Sequence, residues 1–149
     1  MASACGWGLV TAVAQERPPV TVRDAPAFAE VMGGIGEDWA ILDEAIAGPT
    51  YLLNSVRGDG ITRLDRIAAG LDGARRFLVT HSRTGAAGEA AAALRAVAAL
   101  REELIRAEPD QAAAQEETGH VRAACASCHQ RYREGDATTG YRFKPGVLD

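Results

Sequence analysis

Apolar residues recur along this chain in four stretches with helical spacing. From Ala25 to Ala47, Phe28, Met32, Ile35, Trp39, Leu42 and Ile46 step by 4, 3, 4, 3 and 4, a heptad-like stripe on one face of a helix. Asp24 stands where an N-cap belongs, Pro26 falls in the first turn, and Gly48-Pro49 ends the pattern. A second helix is predicted over 60–80 on Ile61, Leu64, Ala68, Leu71 and Leu78, with Gly70 and Gly73 letting a neighbour approach closely. Residues 51–59 before it read as a connection holding at most a short turn of helix, and 84–88 after it as a loop. The third helix, 89–108, carries Leu94, Val97, Leu100 and Leu104 and stops before Pro109. The fourth, 111–134, follows Asp110 as cap and carries Val121, Cys125, Cys128 and Tyr132. Four amphipathic helices with short connections predict an all-α domain over 25–134, an antiparallel up-down-up-down bundle. Residues 15–24, with Pro18-Pro19, read as an extended linker, and 135–149, with Pro145 and Gly146, as an irregular tail.

Composition sharpens this picture. Thirty of the 149 residues are alanine, the best helix former and a poor strand former. Alanines on facing helices would pack tightly by themselves, so something large is expected to fill part of the core. The formal charge is −4, with no basic footprint for nucleic acid. No apolar run reaches the ~18 residues of a membrane span. The first 14 residues carry no charge and end in Ala12-Val13-Ala14, a small-x-small pattern that reads as a signal peptide or its remnant. The basic leading region of such a peptide is missing. Cleavage after Ala14 would remove Cys5 and leave Cys125 and Cys128 as the only thiols. Six acids and no bases lie between Asp24 and Val56, whereas 57–83 holds six Arg and three Asp. Pairing between neighbouring antiparallel helices accounts for this; an acidic face that steers a basic redox partner is the alternative.

The chemistry concentrates in Cys125-Ala126-Ser127-Cys128-His129, the C-x-x-C-H pattern of c-type haem attachment. On a helix, positions i, i+3 and i+4 share a face. Two thiols one turn apart can each add to a vinyl group on one edge of a porphyrin, and the adjacent imidazole then reaches the iron as proximal ligand. A zinc site wants four ligands in two groups. The other candidates are Cys5, His81 and His120, and His120 is roughly 13 Å from His129 along a straight helix. A thioredoxin-like pair expects a strand before the helix, and nothing here reads as a sheet.

The motif is followed by Gln130-Arg131-Tyr132-Arg133 on the last helix of an all-α domain. In this the chain resembles the class II cytochromes c, the four-helix family of cytochrome c prime and its low-spin relatives, over roughly 28–133. The resemblance implies a bacterial periplasmic protein with one covalent haem c and His129 as proximal iron ligand. In the low-spin branch a Met on the first helix fills the distal position, following an Arg four residues earlier and preceding an apolar residue three later. Phe28, Met32 and Ile35 stand at that spacing, so the Met matches and the Arg is replaced by Phe28. Met32 is one of two methionines and lies centrally in the first stripe. Gly33, Gly34 and Gly36 follow it, each about 1 kcal/mol worse than Ala in a helix, which points to a bulky body approaching there. Ordinary core packing is the other account of Met32.

Tyr132 is expected to pack against the porphyrin. Arg133, with Arg122 and Arg131, could meet the haem propionates or simply form a solvated face. Trp39 reads as core. His81, at the end of the second helix, reads as a surface residue or C-cap and is the rival distal ligand. The leading function is single-electron transfer between redox partner proteins by a periplasmic monohaem cytochrome with His129 and Met32 ligation. The alternative is a five-coordinate, cytochrome c prime-like protein that binds NO or CO; a zinc-stabilised helical interaction module is the third. No catalytic triad or carboxylate pair is evident, so an enzyme is not expected. A homodimer, as in several members of that family, is left open.

Overall fold

The computed structural model describes residues 19–136 and 140–147, with 50–56 described by their backbone alone. The expected signal peptide with Cys5, and the linker as far as residue 18, lie outside the described residues. Four helices form: α1 Ala25–Ala47, α2 Thr50–Thr80, α3 Thr84–Ile105 and α4 Gln111–Tyr132. They pack α1 on α2, α2 on α3, α3 on α4, and α4 back on α1. Two starts are as the sequence predicts. Asp24 accepts a hydrogen bond from the Ala27 amide, and Asp110 from the Ala113 amide at 2.9 Å.

Hydrogen bonds at the helix ends fix the alternation. The Arg57 guanidinium, near the start of α2, donates from Nε to the Leu104 carbonyl at 2.5 Å and from Nη2 to Ile105 at 2.8 Å and to Arg106. These carbonyls at the α3 C-terminus have no partner within their own helix, so Arg57 satisfies them and places its positive charge at the negative end of the dipole. Gln111, opening α4, donates to the carbonyls of Ile46 and Gly48 at the end of α1. One end of the bundle therefore gathers the close of α1 and α3 with the start of α2 and α4. The other end gathers the start of α1 and α3, the close of α2 and α4, and the residues that follow α4.

The core divides in the same way. Towards the first end, Leu42, Ile46, Leu64, Ile67, Leu100 and Leu104 are buried, with Val97 and Val121 continuing the cluster. At the second end the buried residues are Phe28, Ala74, Phe77, Leu78, Ala86, Ala87 and Ala90. Val22, Tyr132 and Phe143 pack against them from outside the core.

The helix boundaries and the tail differ from these expectations. The connection predicted over 51–59 is helical, and α2 begins at Thr50. Gly58 and Gly60 do not break it. Gly60 is a close approach, since a Cβ there would meet Leu42 Cδ1 at 3.1 Å and Leu104 Cδ1 at 3.5 Å. The loop predicted over 84–88 belongs to α3, where Ala86 and Ala87 are buried. That helix stops at Ile105, three residues short of the expected end, where Arg57 takes its carbonyls.

The residues after α4 form a hairpin rather than an irregular tail. Strand β1, Arg133–Asp136, pairs antiparallel with β2, Gly140–Phe143. The helix thus ends at Tyr132 rather than 134. Gly135 and Gly140 adopt φ of 87° and 77°, a region that favours glycine. Glu134 lies opposite Arg142, and the two form an ion pair at 2.8 Å. The Phe143 ring packs against Phe28 with centroids 4.8 Å apart and planes tilted by 51°. Gly70 and Gly73 admit close neighbours as predicted: a Cβ on Gly70 would meet Ile35 Cδ1 at 3.0 Å, and one on Gly73 the Val20 carbonyl oxygen at 2.7 Å.

The charge pattern resolves in part as pairing between helices, through Asp38 and Asp43 among the six acids. Asp38 on α1 accepts from Arg63 at 2.8 Å and from Arg66 at 2.6 Å, both on α2. Asp65 on α2 pairs with Arg101 on α3, and Asp43 on α1 with Arg122 on α4. No described helix is long and apolar enough to cross a membrane.

Candidate functional site

Cys125, Cys128 and His129 lie in the last two turns of α4, which runs unbroken through the motif. All three are half-buried, and Cys125 packs against the aliphatic core. Both thiols are unpaired. Burial pushes the Cys125 thiol above its ordinary value. Cys128 is pushed up to about 11, by burial first, then by the charge of Glu89 and by Cys125, against the opposing pull of Arg133. Both are therefore thiols rather than thiolates at neutral pH. A reactive redox pair has its thiolate stabilised instead, usually at a helix N-terminus; here the pair lies at the C-terminal end of its helix. The His129 imidazole is held below its usual value by burial and then by the Arg133 guanidinium. It is neutral at pH 7 and has a nitrogen lone pair to offer a metal.

Met32 is half-buried and packs against both parts of the core, one shared with Cys125 and the other with Tyr132. Gly33, Gly34 and Gly36 do not line that core. They are exposed, and a Cβ built on any of them meets nothing within 4 Å. The case for Met32 thus rests on its own position. Phe28, where the resembled pattern has Arg, is buried between Phe77 and Phe143. Trp39 packs against the core as expected.

Tyr132 lies against the alanine-rich core, and its hydroxyl reaches α3: a Cβ on Gly85 would lie 2.6 Å from it. The arginines considered for propionates have protein partners. Arg122 binds Asp43, Arg131 binds Glu89 at 3.0 Å, and the Arg133 guanidinium sits 4.0 Å over the Tyr141 ring. The hairpin is tied to the end of α4, with the Lys144 amide donating to the Tyr132 carbonyl at 2.9 Å and Lys144 Nζ to Gln130 at 2.6 Å.

The other two histidines are held elsewhere. His81 is the C-cap of α2; its Nδ1 lies 2.8 Å from the Phe77 carbonyl and its ring stacks 4.1 Å from the Phe77 ring. His120 is exposed and pairs with Glu117 at 3.1 Å. The four-ligand zinc reading therefore has no second pair of ligands beside Cys125 and Cys128 among the described residues.

Sequence reasoning missed Glu89. It accepts the Ser127 hydroxyl at 3.1 Å as well as the Arg131 ion pair, so the residue between the two cysteines of the motif is bound to α3. A signal was available: Glu89 is the sole carboxylate between Asp72 and Glu102, in the most alanine-rich part of the chain. No protein-family model, curated protein or solved structure matches this chain.

Proposed function

We propose that this chain is a periplasmic c-type cytochrome that passes single electrons between redox partner proteins. One haem would be held through Cys125 and Cys128, with His129 as proximal and Met32 as distal iron ligand. The observation that carries the reading is the set of two unpaired, protonated thiols and a neutral imidazole in one helix, at the haem-attachment spacing. The donor chemistry fits the group: the thiols suit thioether formation, and imidazole and thioether are both known axial ligands. Haem supplies a one-electron couple between ferric and ferrous iron. The chain's part is to fix the two sulfurs on a rigid helix, to offer the imidazole lone pair, and to shield the site with Tyr132 and the alanine-rich core. Met32 offers a soft, neutral thioether from a core position shared with Cys125. A filled coordination sphere suits electron transfer; an open one would suit gas binding.

Protein produced with a cytochrome c maturation system is expected to gain the mass of one haem and to keep its colour through acid-acetone extraction. Loss of the colour would refute the reading. The same protein is expected to be low-spin in both oxidation states. Met32→Ala should turn it high-spin, speed carbon monoxide binding and lower the reduction potential. A wild-type protein already high-spin and quick to bind carbon monoxide would support the gas-binding alternative. A low-spin spectrum unchanged in Met32→Ala would remove Met32 as ligand.

A further inference from the structure

Glu89 projects from the first part of α3 onto the side of α4 formed by Ser127 and Arg131, next to Cys128 and turned away from Cys125 and His129. Its side chain is 16% exposed, and two groups of α4 converge on the same oxygen. The Ser127 hydroxyl donates to Oε1 at 3.1 Å and Arg131 Nη1 lies 3.0 Å from it. Ser127 adjoins Cys128, and Arg131 lies two residues beyond His129. Glu89 thus grips α4 on both sides of the cysteine and histidine, in a stretch where the neighbouring α3 residues are small. Of the two charges, Arg131 is 66% exposed, whereas the carboxylate is turned inward. Water screens the arginine more than the acid, so the carboxylate is the less screened charge of the pair.

We infer that Glu89 is a positioning and potential-setting residue of the electron-transfer site, holding the attachment turn through Ser127 and Arg131 and placing a fixed negative charge beside Cys128. The inference rests on the cytochrome reading. Reduction of ferric to ferrous iron takes one electron from a redox partner protein and removes one positive charge from the site. A carboxylate nearby favours the more positive, ferric state, and so lowers the potential. The guanidinium of Arg131 acts in the opposite sense.

The test uses the full chain, matured with haem, in wild-type, Glu89→Gln and Arg131→Gln forms. Attached haem is read by mass, helicity by circular dichroism, and the midpoint potential by mediated redox titration. Glu89→Gln keeps the shape and an oxygen to accept from Ser127 but removes the charge; its midpoint is expected to move up. Arg131→Gln is expected to move the midpoint down. A merely structural role would not give opposite signs. Midpoints of both variants equal to wild type, or shifted in the same direction, would overturn the role of Glu89 while leaving the cytochrome reading intact. Absence of attached haem in the wild type would overturn both. If Glu89→Gln alone does not fold, the double variant Glu89→Gln/Arg131→Gln is compared with Arg131→Gln: a higher midpoint in the double variant supports the inference, and an unchanged or lower one refutes it.

Discussion

The end of the bundle built around Leu42, Ile46, Leu64, Leu100 and Leu104 and the opposite end, around Phe28, Ala74, Phe77, Ala86, Ala87 and Ala90, fill the same helical frame by different means. At the first end, branched aliphatic side chains from α1, α2 and α3 meet in the middle and are fully buried. Arg57 and Gln111 close it by binding the last carbonyls of α3 and α1. At the second end α3 contributes alanines, and bulk comes from aromatic rings, with Tyr132 at the last position of α4 among them, and from two segments outside the four helices, Val22 ahead of α1 and Phe143 from the hairpin. Cys128 and His129 stand at that second end. The aliphatic end packs residues of the helices alone, whereas the alanine end, beside the candidate site, draws together parts that are distant in sequence.

The comparison can be broken most directly by truncation. Leu100 is fully buried, and Leu100→Ala is expected to lower the unfolding free energy by about 2–5 kcal/mol in a urea titration. Phe143→Ala removes a larger but half-buried ring from the other end, and about half that loss is expected. Equal losses would mean that the hairpin anchors the bundle as firmly as the aliphatic core.

A smaller effect would sharpen the account of the alanine end. Gly85→Ala gains helix propensity of about 1 kcal/mol but drives a methyl group into the Tyr132 hydroxyl. Overpacking of this kind costs about 1–3 kcal/mol, so a net loss of roughly 1 kcal/mol is expected. In a Tyr132→Phe background the nearest ring carbon is 3.7 Å away, an ordinary contact, and Gly85→Ala should become neutral or stabilising. Thermal unfolding of the four proteins checks the change of sign. An equal loss in both backgrounds would show that Tyr132 does not reach α3.

The smallest effect belongs to neither end. The Arg66 hydrogen bond and charge, with those of Arg63, hold the Asp38 carboxyl below its ordinary value against the opposing effect of burial. A carboxyl depressed in the folded state contributes stability above the unfolded value of about 3.9, and that contribution fades as pH falls through the folded value. A pair of this partly exposed kind is worth at most about 1 kcal/mol. Melting temperature should therefore fall less steeply below about pH 4 in Asp38→Asn than in the wild type. Parallel pH profiles would show that the α1–α2 ion pairs do not contribute to stability.

The sequence by itself determined the four helices, because each apolar stripe is a local periodic signal. It determined the starts of α1 and α4 as well, because Asp24 and Asp110 bond amides three residues away. The spacing of Cys125, Cys128 and His129 is likewise a property of one helix. What depended on neighbours was not legible. Residues 51–59 read as a connection and 84–88 as a loop, yet the chain is helical through both. At Gly60 and Gly85 the missing side chain admits the close approach of Leu42, Leu104 and Tyr132. The hairpin needed Phe28 as a seat for Phe143, and Arg57 ended α3 from 47 residues away. Glu89 showed only as an isolated acid until α3 was laid beside α4. A side chain's role at this site follows from which helix faces it across the bundle, and only the tertiary structure decides that.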